Sequence, residues 1–140
     1  YAEPVSCIVS PRHPLAKLKS VTLKMLEQYP LALPNDSFGL RQLIDAAAER
    51  RGIVFNKLLT TNSLEVTKAF AAKGIAAAFM PPFTVRAEVA RGSLRCVPVI
   101  EAGFRNPYSE VCIHRNRELS VAAKAFLEAL VAEFKRLRRQ

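Results

Sequence analysis

The feature that most constrains this chain is its punctuation. Short apolar runs alternate with segments of helical period, and a proline, a glycine or a capping residue stands at nearly every junction. "VSCIV" (5–9) is β-branched and stops at Ser10-Pro11, and "SVTLKMLEQYP" (20–30) predicts a short helix capped by Ser20 or Thr22 and ended by Pro30. "LAL" (31–33) predicts a brief strand. In "NDSFGLRQLIDAAAERRG", Asp36 or Ser37 can cap a helix whose Leu40, Leu43, Ile44 and Ala47 share one face, with Gly52 as its stop. "IVFNKLLT" (53–60) predicts the next strand, and "NSLEVTKAFAAKG" the next helix. There Asn62 and Glu65 have capping-box spacing, Val66 and Phe70 share a side, and Gly74 ends the run.

The alternation continues to the end of the chain. "IAAAFM" lies between Gly74 and Pro81-Pro82, and its position predicts a buried strand despite the helix preference of alanine. A short helix over 84–91 stops at Gly92. "LRCVPV" (94–99) predicts an edge strand because Pro98 cannot donate to a ladder. "SEVCIHR" (109–115) is strand-like. From Ser120 as cap, Ala123, Phe126, Leu127, Leu130, Val131, Phe134 and Leu137 make one apolar face of a final helix. Strands alternating with helices imply an α/β architecture.

At 140 residues, 50% hydrophobic and 24% charged, the chain has the size and composition of one globular domain. No apolar run approaches the roughly 20 residues of a membrane span, and no signal-like opening precedes the first strand. Cys7, Cys96 and Cys112 are odd in number and widely spaced, which predicts buried thiols in a reducing compartment and neither a metal site nor a disulfide framework. The net charge of +9 is concentrated at Lys135, Arg136, Arg138 and Arg139, with the remainder scattered. Without interleaved aromatics or a helix-turn-helix pattern, this run reads as a solvated helix end.

Three junctions carry possible chemistry: Ser10 after a strand, and Asp36-Ser37 and Asn62-Ser63 before helices. In an open α/β sheet, ligands collect where strand carboxyl ends face helix amino termini, and free amides there favour an anion. The same residues are also ordinary caps. Enzyme signatures are lacking: there is no G-x-S-x-G, no phosphate-binding G-x-x-x-x-G-K-[ST], no H-E-x-x-H, and the twelve acids are spread singly. His13 follows a proline with no acid near it and reads as a turn residue, so no catalytic residue is assigned.

Taken in order, "CIVSPRHPLA", "SVTLKMLEQYPLAL", "TTNSLEVTKAFAAKGIAAAFMP", "RGSLRCVPV" and "LSVAAKAFLEAL" resemble the effector-binding domain of LysR-type transcriptional regulators over nearly the whole chain. Ala76 replaces the second glycine of the family's G-x-G, and Pro81-Pro82 and Arg50-Arg51 lie outside the common pattern. The resemblance implies a two-lobed, periplasmic-binding-protein type 2-like α/β fold. Lobe two would span 14–107, and 1–13 and 108–140 would be crossovers with a remnant of lobe one. The winged helix-turn-helix, its linker helix and most of lobe one would lie outside this chain.

The resemblance also implies a site. Ser10 matches the hydroxyl residue at the end of the first crossover strand, Asn62 and Ser63 the caps facing the interlobe cleft, and Pro81 and Pro82 the loop closing it. With Ser37 from the remaining junction, these are the expected effector-binding residues. The implied ligand is a small anionic metabolite, with no cofactor and no metal. The implied assembly is a cytoplasmic homodimer or tetramer that reaches DNA only through the absent domain and does not touch a membrane. A fragment of an extracytoplasmic solute-binding protein, or an enzyme on the same scaffold, are the competing readings. With helix 120–137 deprived of its usual partner, the fragment is expected to be weakly stable or self-associating.

Overall fold

The computed structural model describes residues 4–102, 104, 111–116 and 118–137. Its contacts divide the chain into two units, 3–107 and 108–140 with 1–2. β1 (Ser6–Val9) is an internal strand of the first unit's sheet.

That sheet has five strands in the order β3-β2-β4-β1-β5, with β2 at Pro30–Pro34, β3 at Asn56–Thr61, β4 at Ala77–Met80 and β5 at Arg95–Pro98. β2 runs parallel to both β3 and β4, whereas β1 is antiparallel to β4 and to β5. α1 (Leu23–Leu26) precedes β2, α2 (Gly39–Arg50) joins β2 to β3, and α3 (Leu64–Ala72) joins β3 to β4. A 3-10 turn, Pro82–Val85, leads into α4 (Arg86–Ala90). The β2-to-β3 step goes one way along the sheet and the β3-to-β4 step returns past β2. Right-handed crossovers then put α2 and α3 on opposite faces.

Alternation along the strands sorts the core accordingly. Cys7, Val9, Leu31, Leu33, Ala77 and Phe79 face one layer with Leu23, Leu26, Ile44 and Ala47. Ile8, Ala78 and Met80 face the other with Ala71, Val85 and Leu94. Because both faces are covered, β1 and β4 are apolar without a break, as "CIV" and "AAFM" require. Phe79 anchors the first layer, with ring centroids 6.1 Å from Phe55 and 6.1 Å from Phe104.

The expected strand at 75–80 and the outer position of β5 are present. Other elements differ. The helix expected over 20–30 is one turn, since Tyr29 and Pro30 are drawn towards β2. The strand expected over 53–60 begins only at Asn56, because Ile53 and Phe55 turn into the core first. Residues 111–116 form no strand, and 109–110 lie outside the described residues. Among the thiols only Cys7 is buried; Cys96 is half-buried and Cys112 exposed. Burial, with Cys96 nearby, pushes the Cys7 thiol up to about 12.

Among the described residues β3 pairs on one side only, and it carries a bulge: Leu31 opposes Lys57 and Ala32 opposes Leu59, leaving Leu58 as the extra residue. Arg51 binds Glu101, 2.9 Å apart, and so ties the end of α2 to the segment after β5. In the second unit, α5 (Val121–Leu137) starts at Ser120, whose Oγ accepts from the Ala123 amide at 3.2 Å. None of its described side chains is fully buried; Ala123, Leu127, Leu130 and Phe134 are half-buried, and Phe126 and Val121 stand out in solvent.

Candidate functional site

Three parallel strands end at one edge of the sheet, and their exits diverge. β2 leads to α2 on one face, while β3 and β4 lead to α3 and to the Pro82–Val85 turn against the other core layer. A crevice opens where adjacent strands send their connections to opposite faces. Ser37, Asn62, Ser63, Pro81 and Pro82 all follow these three carboxyl ends and are brought to this edge.

The local chemistry is set by hydroxyls and amides. Asn35 Oδ1 accepts from the Ser37 amide at 3.2 Å and from Ser37 Oγ at 2.6 Å, and the Asn35 amide donates to the Thr61 carbonyl at 3.2 Å. This Asx turn occupies the place where Asp36 or Ser37 was expected to cap α2. The N-cap is Phe38, with no side-chain cap bond. The exit of β2 is fixed instead by Arg41, which donates to the Pro34 carbonyl at 2.9 Å and to Asp45 at 2.7 Å.

At α3 the cap is Ser63 and not Asn62. Ser63 Oγ accepts from the Val66 amide at 3.3 Å, the Ser63 amide donates to Thr61 Oγ1 at 3.1 Å, and Thr67 Oγ1 donates to the Ser63 carbonyl at 3.0 Å. Asn62 is left exposed beside it. Thr67 and Ala71 face the sheet, so the buried side of α3 differs from the expected Val66 and Phe70. Leu64 and Glu65 amides, at the positive end of the α3 dipole, have no intrahelical acceptor. On the β4 side, Thr84 Oγ1 donates to the Pro81 carbonyl at 2.7 Å and holds the Pro81-Pro82 turn.

Ser10 is not part of this group. Because β1 is antiparallel to β4, with Ser6 opposite Met80 and Ile8 opposite Ala78, Ser10 lies beside the start of β4. Five residues of extended strand, about 16 Å, separate that level from Pro81. Asn35, Arg41, Thr61 and Thr84 are the residues that sequence reasoning passed over. An Asn two residues before a Ser is an Asx-turn signal, and paired threonines closing "NKLLTT" put a hydroxyl in reach of the next cap.

A family model described as the LysR substrate binding domain matches residues 1–135. The chain belongs to the LysR substrate-binding domain family. Among the relatives of this LysR-type domain, the HTH-type transcriptional regulator CysB of Burkholderia cenocepacia is 34% identical over 94 residues, which are 67% of this chain and 30% of that protein. A RuBisCO operon transcriptional regulator of Acidithiobacillus ferrooxidans is 27% identical over 121 residues, covering 86% of this chain and 38% of the relative. The chain thus spans well under half the length of these curated relatives. Among solved structures, the Synechocystis CcmR regulatory domain in complex with 2-PG superposes with a TM-score of 0.75 at 21% identity, covering 93% of this chain and 62% of that one. The effector-binding domain of QuiR in complex with shikimate gives 0.68 at 20%, covering 91% and 59%. The LysR-type domain shares their mixed α/β, periplasmic-binding-protein type 2-like fold. Among the described residues no helix is long and apolar enough to cross a membrane.

Proposed function

We propose that this chain supplies one wall of an effector site, built from Ser37, Asn62, Ser63, Pro81 and Pro82, and that its ligand is a small anionic metabolite. The observation that carries this reading is the convergence of three parallel-strand carboxyl ends, each delivering polar groups, beside the amino terminus of α3. Shikimate and 2-PG, the ligands of two structural neighbours, are small anions and agree with it. Residues 14–107 would form the greater part of lobe two. Ligand closure against a first lobe would change the angle between lobes in a cytoplasmic homodimer or tetramer, whose DNA contacts lie in another domain. The domain would act by binding alone, without catalysis or cofactor. The relatives are regulators, which favours this reading over a solute-binding protein.

A thermal-shift screen of organic carboxylates and phosphorylated acids against the full-length protein tests the proposal. At least one acid should raise the melting temperature, since ligand at a hundredfold excess over Kd stabilises by about 2.7 kcal/mol. The gain should shrink in Ser63→Ala. A screen in which only uncharged ligands stabilise the protein would overturn it.

A further inference from the structure

Ser10 sits at the far end of the sheet from the effector edge, in surroundings that the effector reading does not use. It is 7% exposed, and its carbonyl closes a turn by accepting from the His13 amide at 3.1 Å. Among the described residues its hydroxyl has no hydrogen-bond partner. A buried hydroxyl left unpaired is costly and uncommon, so its location is informative. Ser10 lines a concavity of about 630 Å³ together with Arg12, His13, Lys73, Gly74 and Ser93. That volume is in the range of small-molecule sites.

The walls select for charge. α3 and α4 both end here, which by dipole alone would suit a cation. Several carbonyls of their last turns are already taken, however. Beyond α3, the Ile75 amide donates to Phe70 and the Gly74 amide to Ala71, each at 3.0 Å. Beyond α4, the Ser93 amide donates to Glu88 at 2.9 Å and the Gly92 amide to Val89 at 3.0 Å. Gly74 and Gly92 permit these closures with φ of 71° and 74°. A Cβ at Gly74 would also stand 3.4 Å from Ser10 Oγ, so glycine keeps the space over that hydroxyl open.

The charged side chains of the lining are all basic, Arg12 and Lys73 with His13 beside them. Arg12 and Lys73 are exposed on its rim and have no carboxylate partner among the described residues, and no lining residue is acidic. The nearby Glu88 carboxylate is engaged by Lys68 at 3.5 Å and Arg91 at 3.6 Å. His13 accepts the Leu15 amide on Nδ1 at 3.2 Å, an arrangement that leaves Nε2 as its donor when the ring is neutral. We propose that the concavity beside Ser10 is a second ligand site, distinct from the effector edge, that takes a small oxyanion between the Ser10 hydroxyl and the Arg12 and Lys73 side chains.

The test is an amide-resolved NMR titration of the 140-residue chain with inorganic phosphate at constant ionic strength, with chloride as the control salt. Phosphate should give saturable shifts at the Arg12, Gly74 and Ser93 amides that chloride does not reproduce. Ser10→Ala and Lys73→Gln should each weaken phosphate about tenfold, the loss expected for one hydrogen bond to a charged group. Lys73→Gln is a surface change and keeps the test valid should Ser10→Ala fail to fold. Acetate in place of phosphate separates a carboxylate-selective site from a phosphate-selective one, and saturation by either supports the proposal. Shifts identical to those of chloride, shifts confined to Leu64 and Glu65 at the opposite edge, or parental affinity in Lys73→Gln would overturn it. An effector screen that fails leaves this outcome untouched, since the two sites lie at opposite ends of the sheet.

Discussion

The sheet unit and α5 are built from the same local signals and meet opposite fates. Ser63 and Ser120 cap α3 and α5 with nearly identical geometry, 3.3 and 3.2 Å to the third amide on. α5 is the longer helix and has the more continuous apolar stripe. Yet α3 turns Thr67 and Ala71 into a covered face, while α5 has no fully buried described side chain. Capping and period make a helix; burial against another layer makes it part of a cooperative unit.

Substitutions should separate the two regions. The largest effect is expected at Phe79, 2% exposed between two aromatic neighbours. Phe79→Ala should cost about 3–5 kcal/mol and abolish a cooperative melt, whereas Phe126→Ala, at a position 68% exposed, should stay within about 0.5 kcal/mol. Chemical denaturation followed by circular dichroism reads both. Equal losses would mean that α5 is as well covered as the sheet.

Thiol labelling draws the same line. Cys112 should react with a disulfide reagent at once and Cys96 more slowly, while Cys7 should wait for unfolding. Its raised pKa also sets a sign. The folded state holds the protonated thiol, so this contribution is intact below pH 9, the ordinary thiol value, and is lost as pH rises from there towards about 12. Mass spectrometry of timed labelling checks the order.

The caps sharpen the comparison further. Ser63→Ala should lower the stability of the sheet unit by about 1 kcal/mol, and Ser120→Ala should only fray α5 and leave the sheet unit's melt unchanged. Hydrogen exchange resolved by residue distinguishes these outcomes. The smallest effect concerns His13, whose pKa burial lowers below 6.5. The neutral ring is favoured in the fold, so its contribution is full above 6.5 and fades as pH falls through the lowered value. A shallow loss of stability below pH 6.5, absent in His13→Gln, would show it.

Much of the fold was legible because its signals are local. "VSCIV" read as a strand and "IAAAFM" as a buried one, Pro98 marked an outer strand, and Ser120 marked a helix start. The site was legible only in part. Asn62 and Ser63 differ by one residue as caps, and Thr61 Oγ1, which accepts from the Ser63 amide two residues on, is a local signal that the capping-box spacing of Asn62 and Glu65 masked. Ser10 shows the harder limit. A hydroxyl closing an apolar run looks the same whether its strand runs with its neighbours or against them. Direction decides which end of the sheet it occupies, and direction is a property of pairing that no local pattern encodes.

The two outer strands have one more consequence. At β3 the bulge at Leu58 twists the ladder and Lys57 brings a charge to the rim; at β5, Pro98 withholds an amide and Arg95 adds a second charge. Such rims discourage a sixth strand from another copy. Crowded solutions of the sheet unit should therefore resist fibre growth, and association should proceed through side chains instead of through backbone ladders.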